Sequence, residues 1–219
     1  PGIVIMASRF YRDQQEMVLL REQKKTTELN LLKNQLNPHF LFNTLNNLYT
    51  LALKKSDQTP VVIAKLSAIL DYILYHCQEK YVALADEITL INNYLELEQL
   101  RYGPRLSVEF EYKVAKSVRI APLILLTFVE NAFKHGVKEE IGEAKLDIQL
   151  QGTADEIVFE IQNSKPVHLQ KAKPANKVAI GMANIRQQLD LLYPQAYHLS
   201  IHDNAANYIV CLKLQPNEL

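Results

Sequence analysis

The chain has 219 residues, 48% apolar and 22% charged, enough to bury a sizeable core in one large or two modest domains. Its 24 lysines and arginines balance 24 aspartates and glutamates, which leaves no electrostatic footprint for nucleic acid or for an anionic membrane surface. Two distant cysteines, Cys77 and Cys211, form no CxxC pair, and the six histidines do not cluster at metal-ligand spacing. These features set aside a disulfide framework and a zinc site and fit free thiols in a reducing compartment.

Pro1–Ala7 is apolar and stops at Ser8-Arg9, as the cytoplasmic end of a spanning helix does, although no run in the chain is long enough to cross a bilayer. The sequence begins without Met. This end is therefore read as the edge of a longer membrane protein whose spanning region is missing, with a frayed or vector-derived end as the alternative.

Residues 9–37 are rich in Glu, Gln, Lys and Leu, and Leu29, Leu32 and Leu36 keep a three/four spacing that suits a coiled-coil seam. Pro38 is expected to kink this helix, which runs on to about Lys55. Ser56–Pro60 reads as a turn with Pro60 at the first helical position. A second helix follows with Val62, Leu66, Ile69 and Ile73 on one face. After a break at Tyr81–Ala85, Asp86 is expected to cap a helix that turns Ile88, Ile91 and Leu95 inward and stops at Gly103-Pro104. The apolar faces exceed what two helices can cover, so a four-helix bundle made by two chains is the expected solution.

Beyond position 103 the periods alternate. Val108, Phe110 and Tyr112 read as a strand, and Pro122 opens a helix carrying Leu126, Val129 and Phe133. Leu146, Ile148 and Leu150 and then Ile157, Phe159 and Ile161 form a hairpin across Gly152–Asp155. Residues 164–179 read as a long loop, Gly181–Tyr193 as a helix, and Leu199–Ile201 and Ile209–Leu214 as closing strands. The expected result is an antiparallel or mixed sheet with helices on one face.

Three constellations carry candidate chemistry. At 3.6 residues per turn, Gln35, His39, Asn43, Asn46, Asn47 and Thr50 share one arc, and Leu41, Leu45, Leu48 and Ala52 lie opposite. His39 is then reachable by a partner domain, with a ring nitrogen able to attack phosphorus and Asn43 one turn away to orient it. The bland alternative is a solvated face with one incidental histidine, although three asparagines are poor helix formers for that purpose. Glu130, Asn131, Lys134 and His135 form a polar patch on the second constellation: Asn131 offers an amide oxygen to Mg²⁺, and Lys134 and His135 suit phosphate oxygens. An ordinary amphipathic helix ending at Gly136 explains that patch equally well. Gly181, with Asn184 beyond it, stands at a loop-to-helix junction where amides can hold phosphate, a weak signal by itself. Asn163 ends a strand where an adenine ring could be read.

Taken in order, these motifs resemble the LytS-type sensor histidine kinases. Leu36-Asn-Pro-His-Phe-Leu-Phe-Asn43 resembles the phosphoacceptor box, Glu130-Asn-Ala-Phe-Lys-His-Gly136 the N box, and Ile180–Tyr193 the second glycine box. Tyr94-Leu-Glu-Leu-Glu-Gln-Leu-Arg-Tyr-Gly103 resembles the junction between dimerisation helices and ATP domain. The resemblance implies an α+β chain: a linker helix at 1–28, dimerisation and phosphotransfer helices at 29–103, and a GHKL (Bergerat-type) α/β sandwich binding ATP at 104–219. It implies a homodimer, Mg²⁺ and ATP, phosphorylation of His39, and onward transfer to an aspartate of a response-regulator receiver domain, in the cytoplasmic portion of a bacterial inner-membrane protein. By motif, His39 and Asn43 are catalytic, Asn131 holds the metal, Lys134 and His135 meet phosphates, Asn163 reads adenine, and Gly181 and Asn184 line the lid side. Two departures stand out. Phe40 follows His39 where many histidine kinases carry an acidic base. Ile161-Gln-Asn-Ser-Lys-Pro166 replaces the Asp-x-Gly-x-Gly adenine box, which keeps open a second reading, a dimeric signalling scaffold with a weak or absent nucleotide site.

Overall fold

The computed structural model describes residues 38–137, 142–165, 176–204 and 206–216. The coiled-coil segment 9–37, the apolar start of the chain and most of the 164–179 loop lie outside these residues. The described residues up to Leu45 and those from Asn46 onward fall into two separate units. Among the described residues no helix is long and apolar enough to cross a membrane.

Helix α1, Pro38–Leu53, begins at the proline whose missing N–H costs nothing in a first turn. It ends before Lys54-Lys55, where Lys55 takes a positive φ of 53°. Helix α2, Gln58–Tyr75, starts two residues before the expected Pro60. The reason is that first-turn amides need no intrahelical acceptor, so proline is tolerated anywhere in that turn. Val62, Leu66, Ile69 and Ile73 are buried as expected.

A 3-10 turn, His76–Gln78, leads to strand β1, Val82–Ala83, and helix α3, Leu84–Tyr102. Asp86 is not the cap of α3. Pairing of Val82 and Ala83 with β3, Arg119–Ile120, organises the chain earlier and starts the helix at Leu84. Asp86 and Glu87 fall instead in the first turn, where acidic groups suit the helix dipole. At the far end Gly103, at φ 61°, donates its N–H to the Gln99 carbonyl and ends the helix.

The remaining elements are β2 (Leu106–Val114), α4 (Ile124–His135), β4 (Ala144–Gly152), β5 (Ile157–Ser164), α5 (Asn176–Leu192), β6 (Tyr197–Asp203) and β7 (Asn207–Leu214). The five-stranded sheet runs β2-β4-β5-β7-β6. It is mixed: β2 pairs parallel with β4, and the other three pairs are antiparallel. Leu146, Ile148 and Leu150 of β4 are buried while Lys145, Gln149 and Gln151 are exposed, so one face is covered and the other is solvated. Helix α4 lies on the covered face, with Phe128 and Phe159 ring centroids 6.1 Å apart. The expected α+β class and one-sided helix layer are both present.

Candidate active site

His39 sits in the first turn of α1 and is exposed. The Asn43 amide nitrogen lies 3.1 Å from its Nδ1 and 3.3 Å from its Nε2. This is the i, i+4 neighbour relation of a helix face. The amide nitrogen of Asn43 can only donate, so whichever ring nitrogen it bonds is the acceptor. The nitrogen that accepts from Asn43 is unprotonated and therefore carries the lone pair. Asn46 and Thr50 are exposed on the same arc, and Asn43 and Asn47 are half-buried. On the leucine side Leu45 is 43% exposed, and between the two arcs Phe42, Tyr49 and Leu53 are each at least 66% exposed.

The second group is built around α4. The Asn131 side-chain amide donates to the Thr127 carbonyl at 2.8 Å, which fixes its rotamer and leaves its oxygen as the group open to a cation. Lys134 is exposed on the next turn, and His135 is the last residue of the helix. Gly136 donates its N–H to the Ala132 carbonyl at 2.8 Å. It lies against Asn163, since a Cβ at position 136 would stand 2.7 Å from the Asn163 Cγ. The structure thus brings Asn163 of β5 onto the end of the helix that carries Asn131. Asn163 is only 4% exposed, and its amide nitrogen donates to the Ser164 carbonyl at 3.0 Å. Its oxygen is the remaining acceptor for an exocyclic amine.

The expectation for Gly181 is corrected. Helix α5 begins at Asn176, so Gly181 lies in its second turn and not at a loop-to-helix junction. Only the first few amides of a helix lack an intrahelical acceptor, and the Gly181 amide is past them. Met182 and Ile185 of α5 are buried, Asn184 and Arg186 are exposed, and α5 touches α4.

The sequence reading missed two buried glutamates on α3. Glu87 is fully buried, accepts a hydrogen bond from the Tyr72 hydroxyl at 2.6 Å, and accepts another from the Leu123 N–H at 2.7 Å. Glu98 is 2% exposed and ion-paired with Arg101 at 2.5 Å. A signal existed: Leu84, Glu87, Ile91, Tyr94 and Glu98 follow the three/four spacing of a buried stripe, so both glutamates occupy positions the period assigns to apolar residues.

Burial is the main cause that pushes both carboxyls up to about 7. Hydrogen bonds from Tyr72, Leu123 and Leu125 oppose it at Glu87. At Glu98, Arg101 opposes it and Glu130 adds to it. Between the ordinary carboxylate range and about pH 7, the folded chain then binds more protons than the unfolded chain. Stability is therefore expected to fall as pH rises through that window, by at most roughly 3 kcal/mol per carboxyl, and to level off above it. Urea midpoints measured across the window should show the slope, and Glu87→Gln with Glu98→Gln should flatten it. An unchanged slope in that double variant would assign the effect to other groups.

The chain is similar to known sensor histidine kinases. Residues 27–106 match the family model for histidine kinase. The chain is 27% identical over 188 residues to sensor histidine kinase YpdA of Escherichia coli K12, covering 82% of this chain and 33% of YpdA. It is 23% identical over 210 residues to sensor protein LytS of Streptococcus agalactiae serotype V, covering 88% of this chain and 35% of LytS. Among solved structures, the catalytic domain of histidine kinase ThkA matches with a TM-score of 0.44 at 14% identity, covering 62% of this chain and 94% of that domain. The segment holding His39 is thus similar to histidine kinases. Over more than four-fifths of its length, the chain is a homologue of the LytS-type sensor histidine kinases. It spans about a third of the length of the curated relatives it matches.

Proposed function

We propose that the chain is the core of a sensor histidine kinase in a two-component system, in which His39 takes the γ-phosphoryl group of ATP and passes it to a response-regulator aspartate. The observation that carries this reading is His39 on an exposed helix face with the Asn43 amide set against its ring nitrogens. Phosphoryl transfer needs positioning and charge neutralisation more than covalent help from the protein. The lone-pair nitrogen of His39 forms the N–P bond as the bond to the ADP oxygen breaks. As phosphorus arrives, the Asn43 N–H is freed from the ring nitrogen and is near enough to donate to a phosphoryl oxygen.

The nucleotide would lie along α4, with Lys134 and His135 toward the phosphates and the Asn163 oxygen toward the adenine amine. Mg²⁺ would supply charge neutralisation of the phosphates, and one amide oxygen from Asn131 is in keeping with a hard cation that takes its other ligands from phosphate and water. Asn184 on the exposed face of α5 would line the lid side. The expected GHKL character of the sheet domain rests on these motifs. The homodimer rests on the uncovered Phe42, Leu45, Tyr49 and Leu53, which follow one helical stripe. Attachment to a bacterial cell membrane belongs to the same reading and rests on the resemblance to LytS-type sensor kinases.

Titration calorimetry with a non-hydrolysable ATP analogue and Mg²⁺, on protein whose mass is checked by light scattering, tests this. A dimer that binds is expected, and Asn131→Ala should weaken binding at least about tenfold, the equivalent of one charge-assisted contact. A second reading, a dimeric scaffold without a working nucleotide site, is favoured by Asn163 standing where an aspartate is usual, its amide nitrogen already turned to the Ser164 carbonyl. Absence of binding at millimolar nucleotide would select it. Retained binding in Asn131→Ala would remove Asn131 from its role.

A further inference from the structure

Helix α4 begins in an unusual way. Leu123, directly before it, has a left-handed φ of 64° and offers no side-chain cap. For a branched residue that conformation is strained and persists only where the surroundings impose it. Its buried N–H is satisfied from another helix, by the Glu87 carboxyl of α3 at 2.7 Å. The same Glu87 oxygen is held by the Tyr72 hydroxyl of α2 at 2.6 Å. Three helices meet on one carboxyl with no exposure to solvent. At its other end α4 is held to the same helix, with Phe133 at 5.6 Å from Tyr94 and 6.3 Å from Tyr102 between ring centroids.

We propose that Glu87 is a positioning residue for the nucleotide helix: it caps α4 from α3 while gripped by Tyr72 of α2, so the packing of α2 on α3 sets where Asn131 stands. The proposal rests on the kinase reading for its consequence, because Asn131 lies two turns beyond the cap. The cap itself does not depend on that reading. A buried N–H left without its acceptor costs about 1–3 kcal/mol, and a strained Leu123 gives the helix start a ready way to relax. Reach and acceptor capacity matter here more than charge. Gln at position 87 keeps an oxygen at the same place, and Asp retracts it by one methylene.

The test is hydrogen exchange of the α4 amides together with analogue binding in the full chain, for wild type, Glu87→Gln, Glu87→Asp and Tyr72→Phe. Glu87→Asp is expected to speed exchange at residues 123–127 and to weaken Mg-nucleotide binding about tenfold, with Glu87→Gln restoring both to within about twofold of wild type. Tyr72→Phe, which removes one hydroxyl 51 positions away in sequence, is expected to speed exchange at the same amides. Wild-type exchange over 123–127 in both Tyr72→Phe and Glu87→Asp would overturn the proposal. So would faster exchange spread evenly over all helices, which would mark a general loss of stability. If the wild-type chain binds no nucleotide, the kinase reading fails by itself and the exchange pattern still decides the role of Glu87. Should Glu87→Asp not fold, the Tyr72→Phe and Glu87→Gln pair carries the same decision.

Discussion

His39→Gln is expected to abolish labelling of the protein by Mg-ATP radiolabelled in the γ position. The wild-type chain should acquire an acid-labile, base-stable phosphate, the signature of a P–N bond, and the glutamine variant should show only background. Glutamine is close in reach and polarity, sits on an exposed helix face, and leaves the Asn43 side chain a partner, so folding should not change. What it lacks is an sp² nitrogen lone pair able to attack phosphorus. Analogue binding in the variant should match wild type, which separates loss of the acceptor from loss of the substrate. Equal labelling of the variant would take His39 out of the reaction. A third activity, hydrolysis of ATP without a phosphohistidine, would show as steady phosphate release that survives this substitution.

The second large effect is expected at Gly136, for steric reasons. A Cβ there would fall inside contact distance of the Asn163 amide, 2.7 Å from its Cγ, and 2.8 Å from the Ala132 carbonyl oxygen. The oxygen is fixed by the helix backbone and Asn163 is 4% exposed within β5, so neither can step aside without moving α4 on the sheet. Gly136→Ala should cost about 1–3 kcal/mol of stability, as overpacking does. Nucleotide affinity should fall by tenfold or more, because Asn131 and Asn163 shift against each other. Urea denaturation and calorimetry read the two effects separately. Full stability together with full affinity would show that α4 and β5 accommodate the methyl, and that their close contact is not needed.

Much of this architecture was legible locally. The β4–β5 hairpin followed from strict alternation on either side of Gly152–Asp155, and the buried face of α2 from Val62, Leu66, Ile69 and Ile73. The polar arc of α1 followed from its period, because neighbours at i+4 share a face whatever the rest of the chain does. Helix starts were less legible. Asp86, Pro60 and Gly181 all carry terminal signals, yet α3 starts at Leu84, α2 at Gln58 and α5 at Asn176. Pairing of β1 with β3, Val82 with Ile120 and Ala83 with Arg119, set the first of these, an interaction between distant segments that no local signal encodes.

The sequence by itself determined the α+β order of elements, the exposed setting of His39 beside Asn43, and the amphipathic helix that carries Asn131. These depend on periods and side-chain types within a few residues. Only the tertiary structure decided that β2 runs parallel to β4, joined through β3 and α4, since a parallel partner is reached by a long crossover and not by a readable turn. Only it placed Asn163 on Gly136 and Glu87 on the amide of Leu123. Hydrophobic and hydrogen-bonding complementarity between distant segments chose those contacts, and a residue's own neighbours in sequence carry no record of which distant group will satisfy it.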